Sequence, residues 1–340
     1  MSPTRISTCG RSTGRGSEMR ELNLVEAIRE AFDEELERDD DVYIAGEDVG
    51  EFGGNFGETQ GLVDKYGTER VRDTPLSEIG IAGHTIGAAL AGLRPVAELQ
   101  FSDFAATAGE EMINQIPKMP YITGGQVKLP LTIVAPAGAG IRAGAQHSQS
   151  VHAWMGHQPG FVVVTGTTPY DTKGLLKSAI RDDNPVFFLP HKKLMGVRGE
   201  VPEEEYTLPI GEASVEREGS DVTVVATQLM YYRAVEAADQ LEGDIDVEIV
   251  NPRTYAPLDL DTIAESVQKT GRIVVVDETP LRYGTQGYIA NEVTSNNFFS
   301  LDAPPKTVGV KDVPIPFSPA LEDEVIPSAD EVVDAIRAAF

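Results

Sequence analysis

PGFVVVTGTTPYDTKGLLKSAIRDDNPVFFLP (residues 159–190) reads as strand, helix, strand. FVVVT (161–165) and VFFLP (186–190) are continuous apolar runs, the pattern of parallel strands covered on both faces. The stretch between them, 169–181, is a helix. Upstream, VYIAG (42–46), PVAELQF (95–101) and LTIVA (131–135) repeat the strand signal. Leu22, Val25, Ile28, Ala31, Phe32 and Leu36 recur at helical spacing, so Met19 opens directly into a helical pattern. EIGIAGHTIGAALAG (78–92) predicts a helix whose Gly and Ala permit close packing, and 103–118 another. Downstream, 191–220 is rich in Lys, Pro, Glu and Gly, a linker with a peripheral strand. Strands at 222–227, 246–250 and 272–278 then alternate with helices at 229–241, 259–269, after Gly284 and at 329–339. This alternation with short connections predicts an α/β protein with two parallel-sheet domains, 20–195 and 216–340, joined by a linker at 196–215.

Composition narrows the function. The chain has 340 residues, with 28 Lys+Arg against 54 Asp+Glu, a formal charge of −26. No run approaches the roughly 18 apolar residues of a membrane span. So acidic a chain lacks the clustered Lys and Arg that nucleic-acid binding needs. One cysteine, Cys9, excludes a disulfide framework and a cysteine-rich metal site. A cytoplasmic protein is expected. The acid excess points to a high-salt cytoplasm, since uniform negative charge keeps a protein soluble there. Residues 1–19 depart from this pattern, with Arg5, Arg11 and Arg15 against Glu18 alone, and read as a disordered tail or a misassigned start.

The acid is also interrupted. Between Glu111 and Asp171 lie 59 residues with no Asp or Glu, where average composition would place about nine. Desolvating an unpaired carboxylate is costly, so this stretch should be buried in core strands, a subunit interface or a cofactor pocket.

The stretch contains a false lead. Gly138, Gly140 and Ala143 satisfy a G-x-G-x-x-A dinucleotide fingerprint after a strand. That fingerprint needs an acid about 20 residues on for the ribose, and none is present. His147, His152 and His157 are spaced by five and do not share a helical face, which argues against zinc. His147 sits in the loop GAGIRAGAQHSQS after a strand, where open α/β sheets place function. Glu47 in IAGEDVG also follows a strand. Glu78 in DTPLSEIG opens an almost wholly apolar helix. Its carboxyl should face a dry environment, where it is a candidate proton donor or relay as well as a cap. No G-x-S-x-G elbow, Walker loop or H-E-x-x-H occurs. The residues alone give a Glu78/Glu47/His147 site and no reaction.

Taken together, IAGEDVG, RVRDTPLSEIGIAG, GLRPVAELQFSDF, GAQHSQS, PYDTKGLLKSAIRDDNPV and TGRIVVVDE resemble one family across about residues 20–340. It is the beta subunit of the thiamine-diphosphate-dependent decarboxylase component of 2-oxo acid dehydrogenase complexes, and the acid excess suggests a haloarchaeal member. The resemblance implies a pyrimidine-binding domain followed by a smaller transketolase C-terminal-type domain. It implies that Glu78 bonds the cofactor's aminopyrimidine, with Glu47 beside the ring, Phe104 packed on it and Gln100 adjacent. His147 would assist acyl transfer to a lipoyl group. SAIRDDNPV resembles a potassium loop of mainly backbone carbonyls, drawing on Leu131, Ala179, Ile180, Asp182 and Asn184. Thiamine enzymes hold the diphosphate through Mg²⁺ with a G-D-G motif that this chain lacks. An alpha subunit carrying it is therefore expected, in an α2β2 heterotetramer that feeds a lipoyl acyltransferase core. A pyruvate-type substrate leads; acetoin and branched-chain 2-oxo acids follow. From a different class, the chain could serve as a non-catalytic scaffold docking the acyltransferase, which retention of Glu78 and His147 disfavours.

Overall fold

The computed structural model describes residues 18–340; the predicted tail falls almost entirely outside them. The described residues divide into two compact units. One comprises the chain up to Ala137 together with Trp154–Ile210. The other comprises Gly138–Ala153 with Gly211–Phe340.

In the first unit the strands are β1 (Met19–Asn23), β2 (Val42–Gly46), β3 (Val71–Asp73), β4 (Arg94–Glu98), β5 (Thr132–Val134), β6 (Val162–Gly166), β7 (Val186–Pro190) and β8 (Arg198–Pro202). The central sheet runs β6-β7-β5-β4-β2-β3, every pair parallel. Strands β2, β5 and β7 are buried along their whole length, which is why they read as unbroken apolar runs. Helices α1 (Leu24–Arg38), α2 (Leu62–Tyr66), α3 (Glu78–Leu90), α4 (Met119–Ile122), α5 (His152–Gly156, whose first two residues belong to the other unit) and α6 (Pro169–Arg181) complete the order.

Helix α1 begins two residues later than its apolar spacing suggested. Asn23 and Glu26 close a reciprocal capping box, with backbone-to-side-chain bonds of 2.7 and 2.8 Å. Residues 19–23 instead form β1, antiparallel to β8. Met19 therefore opens a strand and not a helix. The predicted helix 103–118 is also corrected: a 3₁₀ turn at Ser102–Ala106 gives way to a wide turn at Glu111–Gln115. Helix α6 starts on a Thr168 cap with Pro169 in its first turn. Its Lys173 and Lys177 are fully buried. Lys173 Nζ lies 2.6 Å from Glu34 on α1, and Lys177 also pairs with Glu34. Burial would raise the Glu34 carboxyl, but the two ammonium groups hold it below its ordinary value.

The second unit has β9 (Ser214–Arg217), β10 (Val222–Ala226), β11 (Val247–Asn251), β12 (Thr254–Ala256), β13 (Ile273–Pro280) and β14 (Lys306–Val310). Its sheet order is β14-β13-β10-β11-β9, parallel except for the edge strand β9. Helices α7 (Gln228–Gln240), α8 (Leu260–Thr270), α9 (Thr285–Asn297), α10 (Pro319–Val325) and α11 (Ala329–Arg337) accompany it. Val225, Val250 and Val275 from three strands pack with Ile263 and Val267 of α8 and Ile289 and Val293 of α9.

The acid-free stretch is not buried throughout. Strand β5 lies in the core and β6 almost wholly so, but Tyr121 and Ile122 are 87% and 63% exposed. No helix among the described residues is long and apolar enough to cross a membrane.

Candidate active site

In the first unit the order of strands reverses direction between β2 and β4. In open α/β sheets the crevice beyond the carboxyl ends of the strands at such a point is where ligands bind. Three adjacent strands deliver the predicted carboxyl group there. Glu47 follows β2, Gln100 follows β4, and Glu78 heads α3 just after β3. The Gln100 side chain donates to the Glu47 carbonyl across 2.7 Å, tying the two strand ends together. The loop after Glu47 is held from β3, where Asp73 Oδ1 accepts the Gly50 amide at 2.6 Å. A Cβ on Gly50 would stand 2.5 Å from Asp73 Oδ2, so only glycine permits that approach.

The electrostatics of this group are unusual. Burial pushes the Glu47 carboxyl up, the Glu78 charge and then Asp48 push it further, and the Ser77 amide partly offsets them. Glu47 Oε1 is buried without a hydrogen-bond partner. Glu78 is itself buried at the start of α3, where the helix N-terminus favours a negative charge. Phe104 stands four residues beyond Gln100, half-buried in the 3₁₀ turn.

Sequence reasoning missed a second carboxyl pair close by. Glu98 ends β4 at 1% exposure and Glu58 is 2% exposed. Burial and the neighbouring Glu58 charge hold Glu98 well above the usual carboxylate range. Glu58 keeps one oxygen on the Phe56 amide, at 2.7 Å. An acid inside the apolar run PVAELQF was the available signal.

The potassium-loop residues lie at the amino-terminal ends of β5 and β7, the opposite end of the sheet from Glu47 and Gln100. Ala179, Ile180, Asp182 and Asn184 lie around the end of α6, and Leu131 precedes β5. Thr132 Oγ1 donates to the Ala179 carbonyl at 3.1 Å. Arg94 Nη1 donates to the carbonyls of Ile180 and Asp182 at 3.3 and 3.0 Å. Asp182 Oδ1 accepts both the amide and the side chain of Asn184.

His147 belongs to the other unit. Its segment, 138–153, is fastened to the C-terminal sheet. Ala139 donates to Glu278 Oε1 at 2.6 Å and Gly140 to Glu322 Oε1 at 2.9 Å. At the far end, His152 Nε2 lies 2.9 and 3.1 Å from the two oxygens of Asp277. The His152 ring stacks on Tyr255 at 4.5 Å, and Tyr255 donates to Asp277. Burial would raise Asp277, but the imidazole and the hydroxyls of Tyr255 and Thr285 bring it down to about 2. Burial and then the Asp277 charge push Tyr255 well up.

Two parallel α/β units, one with a carboxyl-lined switch point, define the class. Residues 20–197 match the transketolase pyrimidine-binding domain and 211–332 the transketolase C-terminal domain. The acetoin:2,6-dichlorophenolindophenol oxidoreductase subunit beta of Cupriavidus necator is 47% identical over 94% of this chain and 97% of its own length. The pyruvate dehydrogenase E1 component subunit beta of Rhizobium meliloti is 45% identical over 95% of this chain and 71% of its own. A solved split-gene transketolase, described as an inactive beta4 tetramer, superimposes with a TM-score of 0.74 at 28% identity. That match covers 92% of this chain and 96% of that one. The chain belongs to the family of 2-oxo acid and acetoin dehydrogenase beta subunits, as its motifs led us to expect.

Proposed function

We propose that this chain is the beta half of a thiamine-diphosphate-dependent decarboxylase. It would oxidise pyruvate and pass the acyl group to a lipoyl acyltransferase core, with an alpha subunit completing an α2β2 assembly. The observation that carries this is the Glu47/Glu78 pair at the switch point, with a buried oxygen of Glu47 left unsatisfied. Such an oxygen suits a ligand bearing an amino donor.

When bound, thiamine diphosphate supplies a carbon nucleophile and an electron sink for loss of carbon dioxide. Glu78 would face an acceptor nitrogen of the aminopyrimidine and exchange a proton with it, and Glu47 Oε1 would accept from its amino group. Gln100 keeps the Glu47 backbone in place, and Phe104 offers the ring an apolar face. The diphosphate and Mg²⁺ are assigned to the alpha subunit. His147 protonates one dithiolane sulfur as the other takes the acyl group; the sulfur–sulfur bond breaks, and the substrate carbon provides the two electrons. Imidazole suits that transfer near neutral pH. The exposed, acid-free Tyr121 and Ile122, with Ile79 and Leu90 on the outer face of α3, support a partner-binding role for this unit.

A pyruvate substrate is tested by co-expressing the chain with an alpha subunit encoded beside it. Pyruvate, acetoin and 2-oxoisovalerate are then compared using an artificial electron acceptor. Highest kcat/KM with pyruvate is the expected result. The 47% identity to an acetoin-oxidising relative favours acetoin as the second reading, and a preference for it would replace pyruvate.

The carbonyls of Leu131, Ala179, Ile180 and Asp182, with Asn184, would hold potassium, sharing two of them with Arg94. KCl should then raise the melting temperature above that in NaCl of equal ionic strength; equal values would remove the ion. The charge of −26 supports a cytoplasmic location in a salt-rich, haloarchaeal cell.

A further inference from the structure

The Gly-rich turn that imitates a dinucleotide fingerprint already has an anion in it. Gly138 and Gly140 adopt φ of 87° and 90°, and Arg142 adopts 65°. Successive amides in such a turn form a concave nest suited to negative charge. Here the charge comes from the protein. Glu278 Oε1 takes the Ala139 amide and Glu322 Oε1 the Gly140 amide. Glu322 is fully buried and its other oxygen pairs with Arg142 Nη1 at 2.5 Å. Arg142 also donates to the Pro319 carbonyl at 3.0 Å.

The other end of the segment is fixed by the neighbouring acid. Glu278 and Asp277 are adjacent near the carboxyl end of β13. Glu278 Oε1 also lies 3.4 Å from Ser150 Oγ, and Asp277 holds His152. Residues 139 and 152 are thus clamped by consecutive carboxylates, and the loop between them carries His147. Within it, the His147 amide donates to the Gly144 carbonyl at 3.3 Å. Ordering a loop of this length costs backbone entropy at each residue. Clamping both ends meets that cost in advance of any ligand.

We infer that Glu278, assisted by Glu322 and Asp277, is a positioning residue that holds the 138–153 segment in the one conformation from which His147 acts. The C-terminal domain therefore takes part in the acyl-transfer step through these carboxylates. This rests on the role given to His147 under Proposed function.

The test uses the assembled alpha–beta complex carrying Glu278→Ala, Glu278→Gln or His147→Ala. In each, lipoyl-dependent acyl transfer is divided by turnover with an artificial electron acceptor in the same preparation. Glu278→Ala is expected to lower that ratio about tenfold or more, since small misplacements of a catalytic group are costly. Glu278→Gln, which keeps an oxygen for the Ala139 amide, is expected to restore most of it. A purely structural role would lower both activities together and leave the ratio unchanged. If His147→Ala lowers the ratio while Glu278→Ala does not, the positioning role is wrong and the His147 role stands. If His147→Ala leaves the ratio unchanged, the His147 role itself fails. Should Glu278→Ala not assemble, Glu322→Ala, which removes the acceptor of the Gly140 amide, is measured in its place, and an unchanged ratio there overturns the proposal equally.

Discussion

Glu78→Gln in the assembled alpha–beta complex is expected to lower 2-oxo acid turnover by about 10²- to 10⁴-fold, the range lost when a positioned proton-transfer group is removed. Glutamine keeps the volume and hydrogen-bonding reach of the side chain but cannot exchange a proton. The fold should tolerate the change, because the Ser77 side chain independently caps α3 through the Gly80 amide. An unaltered melting temperature would confirm this. The substitution also removes the charge that, after burial, most strongly raises Glu47. Glu47 should therefore ionise at lower pH in the variant, and the acid limb of the residual activity should move to lower pH. Turnover equal to the parent complex would show that the carboxyl pair is a cap and its neighbour, and would return the chain to the scaffold reading.

The parts of this site that were legible in the sequence are those set by local rules. A carboxylate after a buried strand, as at Glu47, and one opening an apolar helix, as at Glu78, are visible because strand and helix boundaries are visible. The parallel order that brings them together follows from the same alternation. What escaped depends on long-range packing. Gly138, Gly140 and Ala143 read as an isolated motif because the carboxylates that hold this turn lie some 140 to 180 residues further on. His152 reads in the sequence only as one of three evenly spaced histidines, because its partner Asp277 sits 125 residues away in RIVVVDE. Residues 138–153 interrupt the first domain in sequence yet fold with the second unit. The acid gap at 112–170 records two physical situations: apolar strands in the core, and an exposed surface without charge around Tyr121.

Asp277→Ala is expected to destabilise the protein by about 3–5 kcal/mol, the usual cost of removing one partner of a buried polar or ionic pair. The carboxylate accepts from His152, Tyr255 and the Thr279 amide, at 2.8 Å for the last, so the substitution strands three buried donors at once. Asp277→Asn isolates the electrostatic part, since it keeps the shape and loses the charge. The sign of its pH dependence follows from linkage. The Asp277 carboxyl stands near 3.8 when unperturbed and at about 2 in the folded chain. Its stabilisation is complete above the unfolded value and is lost as pH falls from about 4 towards 2, amounting to about 2 kcal/mol. Urea titrations at pH 6, 4 and 3 should therefore find the parent losing stability on acidification faster than Asp277→Asn, with the curves converging at low pH. Parallel curves would mean that the His152–Asp277 contact is held by packing against Tyr255 and not by charge, and that the clamp on the His147 segment is steric.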